Sequence, residues 1–211
     1  RIKKYWGLNS EVIHPPVDIQ RFKFNLERKD FYLSVCRLVP NKRVDLLIKA
    51  FNNLGLKLII VGDGPEKAKL KKLANSNILF YGNDTNSNVE ELMSTCRGFI
   101  YAGIEDFGIA PIEAIASGAP VIGFAKGGLL DTVNCITNQS RDEVYSGVLF
   151  KKQNSSTIVD TIRWFEDKKI WKKFDPEIQN NFAQNFSKDK FKIRINNFIK
   201  ISWDKFQENK Y

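Results

Sequence analysis

Short apolar runs alternate with amphipathic segments along most of this chain. The apolar runs are rich in β-branched and aromatic residues and are predicted to be strands. They lie at residues 31–36, 56–61, 77–81, 98–101, 119–124 and 147–150. Between and after them, apolar residues recur at helical spacing, which predicts helices at 44–54, from 65, at 89–96, 110–117 and 155–165, and from 175 and 187.

The order of these elements predicts the fold class. Strands and helices alternate with short links, and this pattern requires a parallel sheet that is covered by helices on both faces. The run at 119–124 is apolar at consecutive positions, as expected of a strand buried on both sides. The connections should be right-handed. We therefore predict a doubly wound α/β domain that is followed by carboxy-terminal helices.

The stretch at 101–128 contains the strongest candidate for a ligand site. It runs from the end of a strand, through a loop, into a helix and then into the next strand. Glu105 falls in the loop, at the carboxyl end of the strand, where open α/β sheets bind ligands. Glu113 falls in the predicted first turn of the helix. Between them lie backbone amides that lack partners inside the helix and should attract phosphate, those of Phe107, Gly108, Ile109 and Ala110.

Spacing alone leaves an alternative open for each glutamate. Acidic residues are common in the first turn of a helix, where they complement the helix dipole. On that interpretation Glu113 only stabilises its own helix, and Glu105 is a solvated charge in a loop.

Two basic residues follow the predicted strand at 31–36. Arg37 and Lys42 would face the same crevice as Glu105, because the carboxyl ends of parallel strands lie at one edge of the sheet. An arginine can bind two phosphate oxygens at once, and a lysine acts as a point charge. The alternative is that both are surface charges around a βα turn.

Glycines follow two other predicted strands. Gly62 opens a tight turn after the strand at 56–61, and Gly127 and Gly128 follow the strand at 119–124. A glycine permits close approach of the backbone to a ligand, so each is a candidate binding residue. Plain tight turns are the alternative for all three.

Composition and charge narrow the classes of partner. The chain has 211 residues, of which 43% are hydrophobic, enough for a substantial core. No apolar run reaches the length that spans a bilayer, and we expect no signal peptide. Three scattered cysteines favour a reducing cytoplasm over a disulfide framework or a zinc site.

The net charge of +9 suits a nucleotide diphosphate, an anionic membrane or nucleic acid as a partner. The alternative is a basic surface that has no partner.

The central stretch resembles a known family. The sequence EDFGIAPIE begins at Glu105, ends at Glu113 and is followed by AIASGAPVIG. It resembles the donor-site signature of retaining glycosyltransferases of family 4, which have the GT-B fold. The resemblance implies that Glu105 contacts hydroxyls of the donor sugar and that Glu113 contacts hydroxyls of the ribose.

Other segments are similar to the same family. RLVPNK runs from Arg37 to Lys42 and matches a pattern whose Arg and Lys hold the diphosphate. The turn at Gly62 would lie beside the donor. The family usually has glycine after the lysine, where Arg43 stands here. RLVPNKRVDL is similar to the mannosyltransferase-like branch that builds bacterial polysaccharide, which implies GDP-mannose as the donor.

The resemblance implies that the chain is half of a GT-B enzyme. Residues 1–25 would be a linker and a remnant of an amino-terminal acceptor domain. Residues 26–186 would be the Rossmann-like donor-binding domain, and residues 187–211 an amphipathic helix. The chain does not begin with methionine, and a fragment and a natural short protein both stay open as alternatives. In either case we expect the isolated chain to bind the donor but to transfer sugar poorly or not at all.

The implied reaction is transfer of a sugar from a nucleotide diphosphate, with retention, to a glycan or lipid-linked acceptor in polysaccharide or O-antigen synthesis. Arg37, Lys42 and the helix amides would stabilise the leaving diphosphate, and Glu105 would position the sugar. No D-x-D pair for a divalent ion is visible in the sequence. We therefore expect no metal, and no cofactor besides the donor substrate.

Other functions would fit parts of the sequence. The same donor site would also suit a non-catalytic nucleotide-sugar-binding module. Nucleic-acid binding is disfavoured because the chain lacks interleaved aromatic and glycine motifs. The basic helix from residue 187 would suit peripheral contact with the inner face of an anionic membrane, although we expect it to pack on protein. His14, in the linker, is expected to be structural or exposed and not catalytic.

Overall fold

The computed structural model describes residues 2–82, 86–136 and 144–208. Within these ranges, six strands form one sheet: β1 (Tyr32–Val35), β2 (Leu58–Val61), β3 (Ile78–Tyr81), β4 (Gly98–Tyr101), β5 (Val121–Phe124) and β6 (Gly147–Phe150). Each strand lies inside a predicted apolar run, so the strand predictions are confirmed. Most are shorter than the run, because the flanking residues form the turns.

The strand order is β3-β2-β1-β4-β5-β6, and all neighbours pair in parallel. The chain builds outward from β1 to β3 and then returns to place β4 on the other side of β1. Connections on the two sides of this switch point leave toward opposite faces, so a crevice opens at the carboxyl ends of β1 and β4. The predicted doubly wound α/β class is confirmed.

Helices cover both faces of the sheet. The described helices are α1 (Ile2–Trp6), α2 (Val44–Leu54), α3 (Lys67–Leu73), α4 (Asn86–Thr95), α5 (Ile109–Ala116), α6 (Leu129–Thr132), α7 (Ser155–Asp167), α8 (Pro176–Ala183) and α9 (Lys188–Glu208). Some begin away from their predicted positions. Pro65 lies in a turn before α3, α4 begins at Asn86, and α5 begins at Ile109, one residue before the predicted start.

The core lies on both faces because successive strand residues point to opposite sides. In β1, Tyr32 packs with Phe51 of α2 and Phe165 of α7 on one face. The next residue, Leu33, packs on the other face in the cluster that contains Ile112 of α5. All five side chains are almost completely covered. This packing fixes α5, the helix that follows the candidate ligand loop.

Arg28 fastens the far end of α5 to the end of α4. Its guanidinium donates to the carbonyl oxygens of Ser94 at 2.8 Å and Cys96 at 3.4 Å, and to that of Gly118. The unpaired carbonyls at helix carboxyl ends carry partial negative charge, which favours a cation there. No sequence motif indicated this contact.

The linker and the last helix meet side by side. The amide of Val17 donates to the carbonyl of Phe186 at 2.9 Å, and Asp18 pairs with Lys188 at 2.9 Å. Beyond this junction α9 leaves the domain, and none of its residues is buried. The described residues bury none of this helix, so its packing on protein stays a prediction. No helix in those ranges is long and apolar enough to cross a bilayer.

Candidate functional site

A crevice opens at the carboxyl ends of the strands, at the switch point between β1 and β4. One cavity, of about 410 Å³, lies between the loops that follow β1 and β4. A second, of about 770 Å³, lies between the loops that follow β1 and β2. Both are lined by Val35, Cys36, Arg37 and Ala110, so the two cavities adjoin each other along the crevice.

Lys42 reaches the first cavity because the chain turns tightly after β1. Residues Pro40–Lys42 form a single 3-10 turn. The ammonium of Lys42 forms an ion pair with the carboxylate of Glu105, which lies in the loop between β4 and α5. Both side chains line the cavity, and only 18% and 23% of their surfaces are exposed. The structure therefore brings these two candidate residues together.

Arg37 lies at the start of the same loop and lines both cavities. The residue is exposed, and no carboxylate in the described ranges forms an ion pair with its guanidinium. An unpaired guanidinium at the rim of a crevice is suited to binding two oxygens of a diphosphate.

Arg43 occupies the position where the family usually has glycine. Its φ is 52°, in the left-handed region that glycine adopts without strain. Its guanidinium donates to both carboxylate oxygens of Asp45, at 3.0 and 3.2 Å. Arg43 thus keeps the backbone conformation that glycine would adopt in the turn. Its side chain is paired with Asp45 at the start of α2.

The amino end of α5 forms one wall of the first cavity. Gly108 precedes the helix with a φ of 95°, a conformation that glycine tolerates best. Four consecutive residues line the cavity: Phe107, Gly108, Ile109 and Ala110. Pro111, the third residue of the helix, has no amide to leave unpaired. The helix therefore presents its first amides and the positive end of its dipole to the cavity.

Gly127 and Gly128 contact the loop that carries Glu105. The amide of Gly128 donates to the carbonyl of Glu105 at 2.7 Å, and Gly127 forms a parallel bridge with the same residue. A Cβ at Gly127 would overlap that carbonyl oxygen, and a Cβ at Gly128 would overlap the backbone of Phe107. Neither glycine lines either cavity. The close backbone approach is therefore made to the loop that carries Glu105. These glycines support that loop without lining the cavity themselves.

Gly62 lies in the wall of the second cavity. Its φ is 142°, and a Cβ there would overlap the carbonyl oxygen of Cys36. Glycine is thus required for the turn after β2 to pack against the chain after β1. The position serves the local packing and borders the crevice at the same time.

Glu113 is the fifth residue of α5 and lies in its second turn, not in the first turn as predicted. The influence of the helix dipole is concentrated in the first turn, so the purely dipolar interpretation is weakened. Burial raises the pKa of Glu113, and the nearby Arg21 opposes this shift. The carboxylate has no hydrogen bond or ion pair within the described residues, and it lines neither cavity.

Sequence reasoning missed other residues of the site. Tyr101, the last residue of β4, donates its hydroxyl to the carboxylate of Glu105. His14 stacks on Phe107 with ring centroids 5.4 Å apart, and Pro15 lines the first cavity. Pro15 is one of two adjacent prolines in the linker, a pattern that predicts an extended segment and not a ligand contact. A tyrosine at a strand end cannot be distinguished from a core residue in the sequence.

Cys36 borders both cavities but is a poor nucleophile. Burial raises the pKa of its thiol to about 11, which keeps the thiol protonated near neutral pH. The described residues contain no group of three or more His, Cys, Asp and Glu side chains arranged to hold a metal ion.

The sequence matches the family described as Glycosyl transferases group 1 over residues 16–189. An uncharacterized glycosyltransferase of Methanocaldococcus jannaschii is 26% identical over 191 residues, which cover 88% of this chain and 49% of that protein. A GDP-mannose-dependent alpha-mannosyltransferase of Corynebacterium glutamicum is 34% identical over 132 residues, which cover 61% of this chain and 32% of that protein. The chain thus spans half or less of the length of these relatives.

Solved structures show the same fold at lower identity. HepE of Anabaena in complex with UDP and glucose superposes with a TM-score of 0.72 at 19% identity, over 90% of this chain and 56% of that one. Sucrose-phosphate synthase from Thermosynechococcus elongatus superposes with a TM-score of 0.76 at 18% identity, over 96% of this chain and 56% of that one.

Proposed function

The chain belongs to the family of glycosyl transferases group 1, and we propose that it is the donor-binding half of a retaining glycosyltransferase. One observation carries this proposal. Arg37, Lys42, Glu105 and the amino end of α5 come from separate parts of the sequence and meet around one cavity at the switch point of the sheet. Cationic and amide donors there suit a diphosphate, and an adjacent carboxylate suits sugar hydroxyls.

The catalytic contribution of these groups is electrostatic. As the bond between the sugar and the diphosphate breaks, negative charge grows on the leaving phosphate oxygens. Once the donor is bound, Arg37, Lys42 and the first amides of α5 stabilise that charge. Glu105 accepts hydrogen bonds from the sugar and holds it in place. These cations supply the charge that a divalent metal would otherwise provide, so donor binding should not require one.

GDP-mannose is the donor that we propose. The relatives in Corynebacterium glutamicum and Mycobacterium tuberculosis that are named GDP-mannose-dependent support this choice. HepE of Anabaena was solved with UDP and glucose, so UDP-glucose is the natural comparison. The acceptor, a glycan or a lipid-linked sugar, would be bound by an amino-terminal domain outside this chain. The protein would act in the cytoplasm, in polysaccharide or O-antigen synthesis.

Isothermal titration of the 211-residue chain with GDP, GDP-mannose, UDP and UDP-glucose tests the proposal. We expect tighter binding of GDP-mannose than of UDP-glucose, with affinities unchanged in excess EDTA. Binding of none of the four would overturn the donor-site assignment. A longer protein that includes the acceptor domain, and that binds the donor without hydrolysing or transferring it, would favour the non-catalytic binding module instead.

A further inference from the structure

The carboxylate of Glu105 is held through one of its two oxygens. Its Oε1 accepts from the Tyr101 hydroxyl and also from the Lys42 ammonium. No side chain or backbone group in the described ranges donates to Oε2. One oxygen is thus occupied by the protein, and the other is left to accept a hydrogen bond from a ligand.

The side chain of Tyr101 is held in place by its surroundings. It ends β4, its side chain is buried, and its ring lies 6.0 Å from the Lys42 ammonium. A Cβ at Gly103 would come within 3.0 Å of the Tyr101 ring and hydroxyl, so a glycine leaves the space that the phenol needs. Burial and the adjacent carboxylate raise the pKa of the hydroxyl, which therefore stays protonated and donates.

We propose that Tyr101 is a positioning residue that fixes the rotamer of Glu105, so that Oε2 is presented to a hydroxyl of the donor sugar. This inference rests on the proposed function. Lys42 has two uses in that function, since it also binds the diphosphate. When the ammonium turns toward the phosphates, the Tyr101 hydroxyl is the donor that still holds Glu105. Its contribution should therefore be felt with a sugar-bearing donor and not with the bare nucleotide.

The test is Tyr101→Phe, which removes the hydroxyl and keeps the ring in the core. Tyr32→Phe is the matched control, because the buried Tyr32 hydroxyl donates to Glu166 at 2.5 Å, at the opposite end of the sheet from the crevice. Both variants are titrated with GDP-mannose and GDP, and with UDP-glucose and UDP. We expect Tyr101→Phe to weaken the sugar-bearing donor roughly three- to tenfold and to leave the nucleotide alone unchanged. Tyr32→Phe should leave all four affinities unchanged.

A double-mutant cycle shows whether Tyr101 acts through Glu105. In a Glu105→Ala background, Tyr101→Phe should cause no further loss of donor affinity. An equal loss with and without Glu105 would overturn the positioning role, as would wild-type affinities in Tyr101→Phe. Failure of wild-type protein to bind any of the four ligands would instead overturn the proposed function, and this role with it.

Discussion

Lys42 and Glu105 are 63 positions apart in the chain, and they form an ion pair across the cavity between the loops after β1 and β4. Each is assigned to a different part of the donor, Lys42 to the diphosphate and Glu105 to the sugar. In the unliganded protein the two charges therefore neutralise each other. On the proposed function, a donor that carries both a diphosphate and a sugar would replace this ion pair with two new contacts.

Arg37 should contribute to nucleotide affinity without contributing to stability. Its guanidinium is exposed, so Arg37→Ala removes no side-chain hydrogen bond or ion pair among the described residues. Loss of a charge-assisted hydrogen bond to phosphate should weaken GDP by about 1.5–3 kcal/mol, roughly tenfold to a hundredfold. Calorimetric titration measures the affinity, and thermal melts without ligand should coincide with those of wild type.

Arg163→Ala is the control for that variant. Arg163 donates to Asn53 at 3.3 Å on the surface of α7, away from the crevice, so this change should leave GDP affinity unaltered. Equal GDP-induced thermal shifts in wild type and Arg37→Ala would mean that Arg37 is only a surface charge.

Gly127 should be required for both stability and ligand binding. Gly127 and Gly55 have nearly the same φ, 68° and 69°, so an added Cβ strains both, by about 1–2 kcal/mol. At Gly55 nothing lies within 4 Å of that Cβ, whereas at Gly127 it would overlap the carbonyl oxygen of Glu105. Gly127→Ala should therefore lower the free energy of unfolding by more than Gly55→Ala does, and it should weaken GDP-mannose.

Denaturant unfolding and calorimetry on the two variants measure these effects. Because Gly55→Ala carries the conformational strain alone, the difference between the variants isolates the overlap with the ligand loop. If both alanines cost the same stability and leave donor affinity intact, Gly127 does not support the loop.

The sheet could be predicted from the sequence because its signals are local. Consecutive apolar residues, as in β5, mark a strand that is buried on both faces, and the alternation with helices requires parallel pairing. The placement of Arg37, Lys42 and Glu105 at one edge followed from that topology. These steps use only chain order and hydrophobicity.

Other features of the site depend on tertiary contacts that no local pattern encodes. The left-handed φ of Gly108 lets α5 begin at Ile109, and this single residue moves Glu113 into the second turn. A glycine in the sequence indicates close approach but not its partner, which at Gly127 is the backbone of Glu105. The sequence did not indicate a role for the Tyr101 hydroxyl, because an aromatic residue in a buried strand is already explained by the burial of its ring.

Glu113 should lower the stability of the empty protein at neutral and higher pH. Burial raises its pKa above the ordinary 4.5, so the folded state favours the protonated form. The protonated carboxyl of Glu113 thus contributes stability that is fully present below about pH 4.5. This stability is lost as pH rises through the raised pKa of the folded state. Glu113→Gln should therefore raise the free energy of unfolding at about pH 8 and change it little at about pH 4.

Urea unfolding at the two pH values measures this difference. Glu11→Gln, at an exposed carboxylate, is the control and should change stability little at either pH. A Glu113→Gln variant that matches wild type at about pH 8 would show that the ionised carboxylate is not destabilising in the folded protein.

The two glutamates should affect ligand binding differently. If Glu113 binds the ribose hydroxyls, Glu113→Ala weakens GDP and GDP-mannose alike, because both ligands carry the ribose. If Glu105 binds the sugar, Glu105→Ala weakens only GDP-mannose. It also releases Lys42 from its ion pair, so GDP should bind at least as tightly as to wild type. Each expected loss is about 1.5–3 kcal/mol, the range for hydrogen bonds to a charged group.

Titration of both ligands into both variants, with melting curves alongside, decides the assignment. If Glu113 only complements the helix dipole, Glu113→Ala should lower the free energy of unfolding by only about 0.3–1 kcal/mol and leave both affinities unchanged. Its place in the second turn of α5 makes even that cost smaller. If Glu105→Ala weakens GDP as much as GDP-mannose, then Glu105 acts on the nucleotide and not on the sugar. If both variants bind both ligands as wild type does, neither carboxylate contacts the donor, and the site must be sought elsewhere along the crevice.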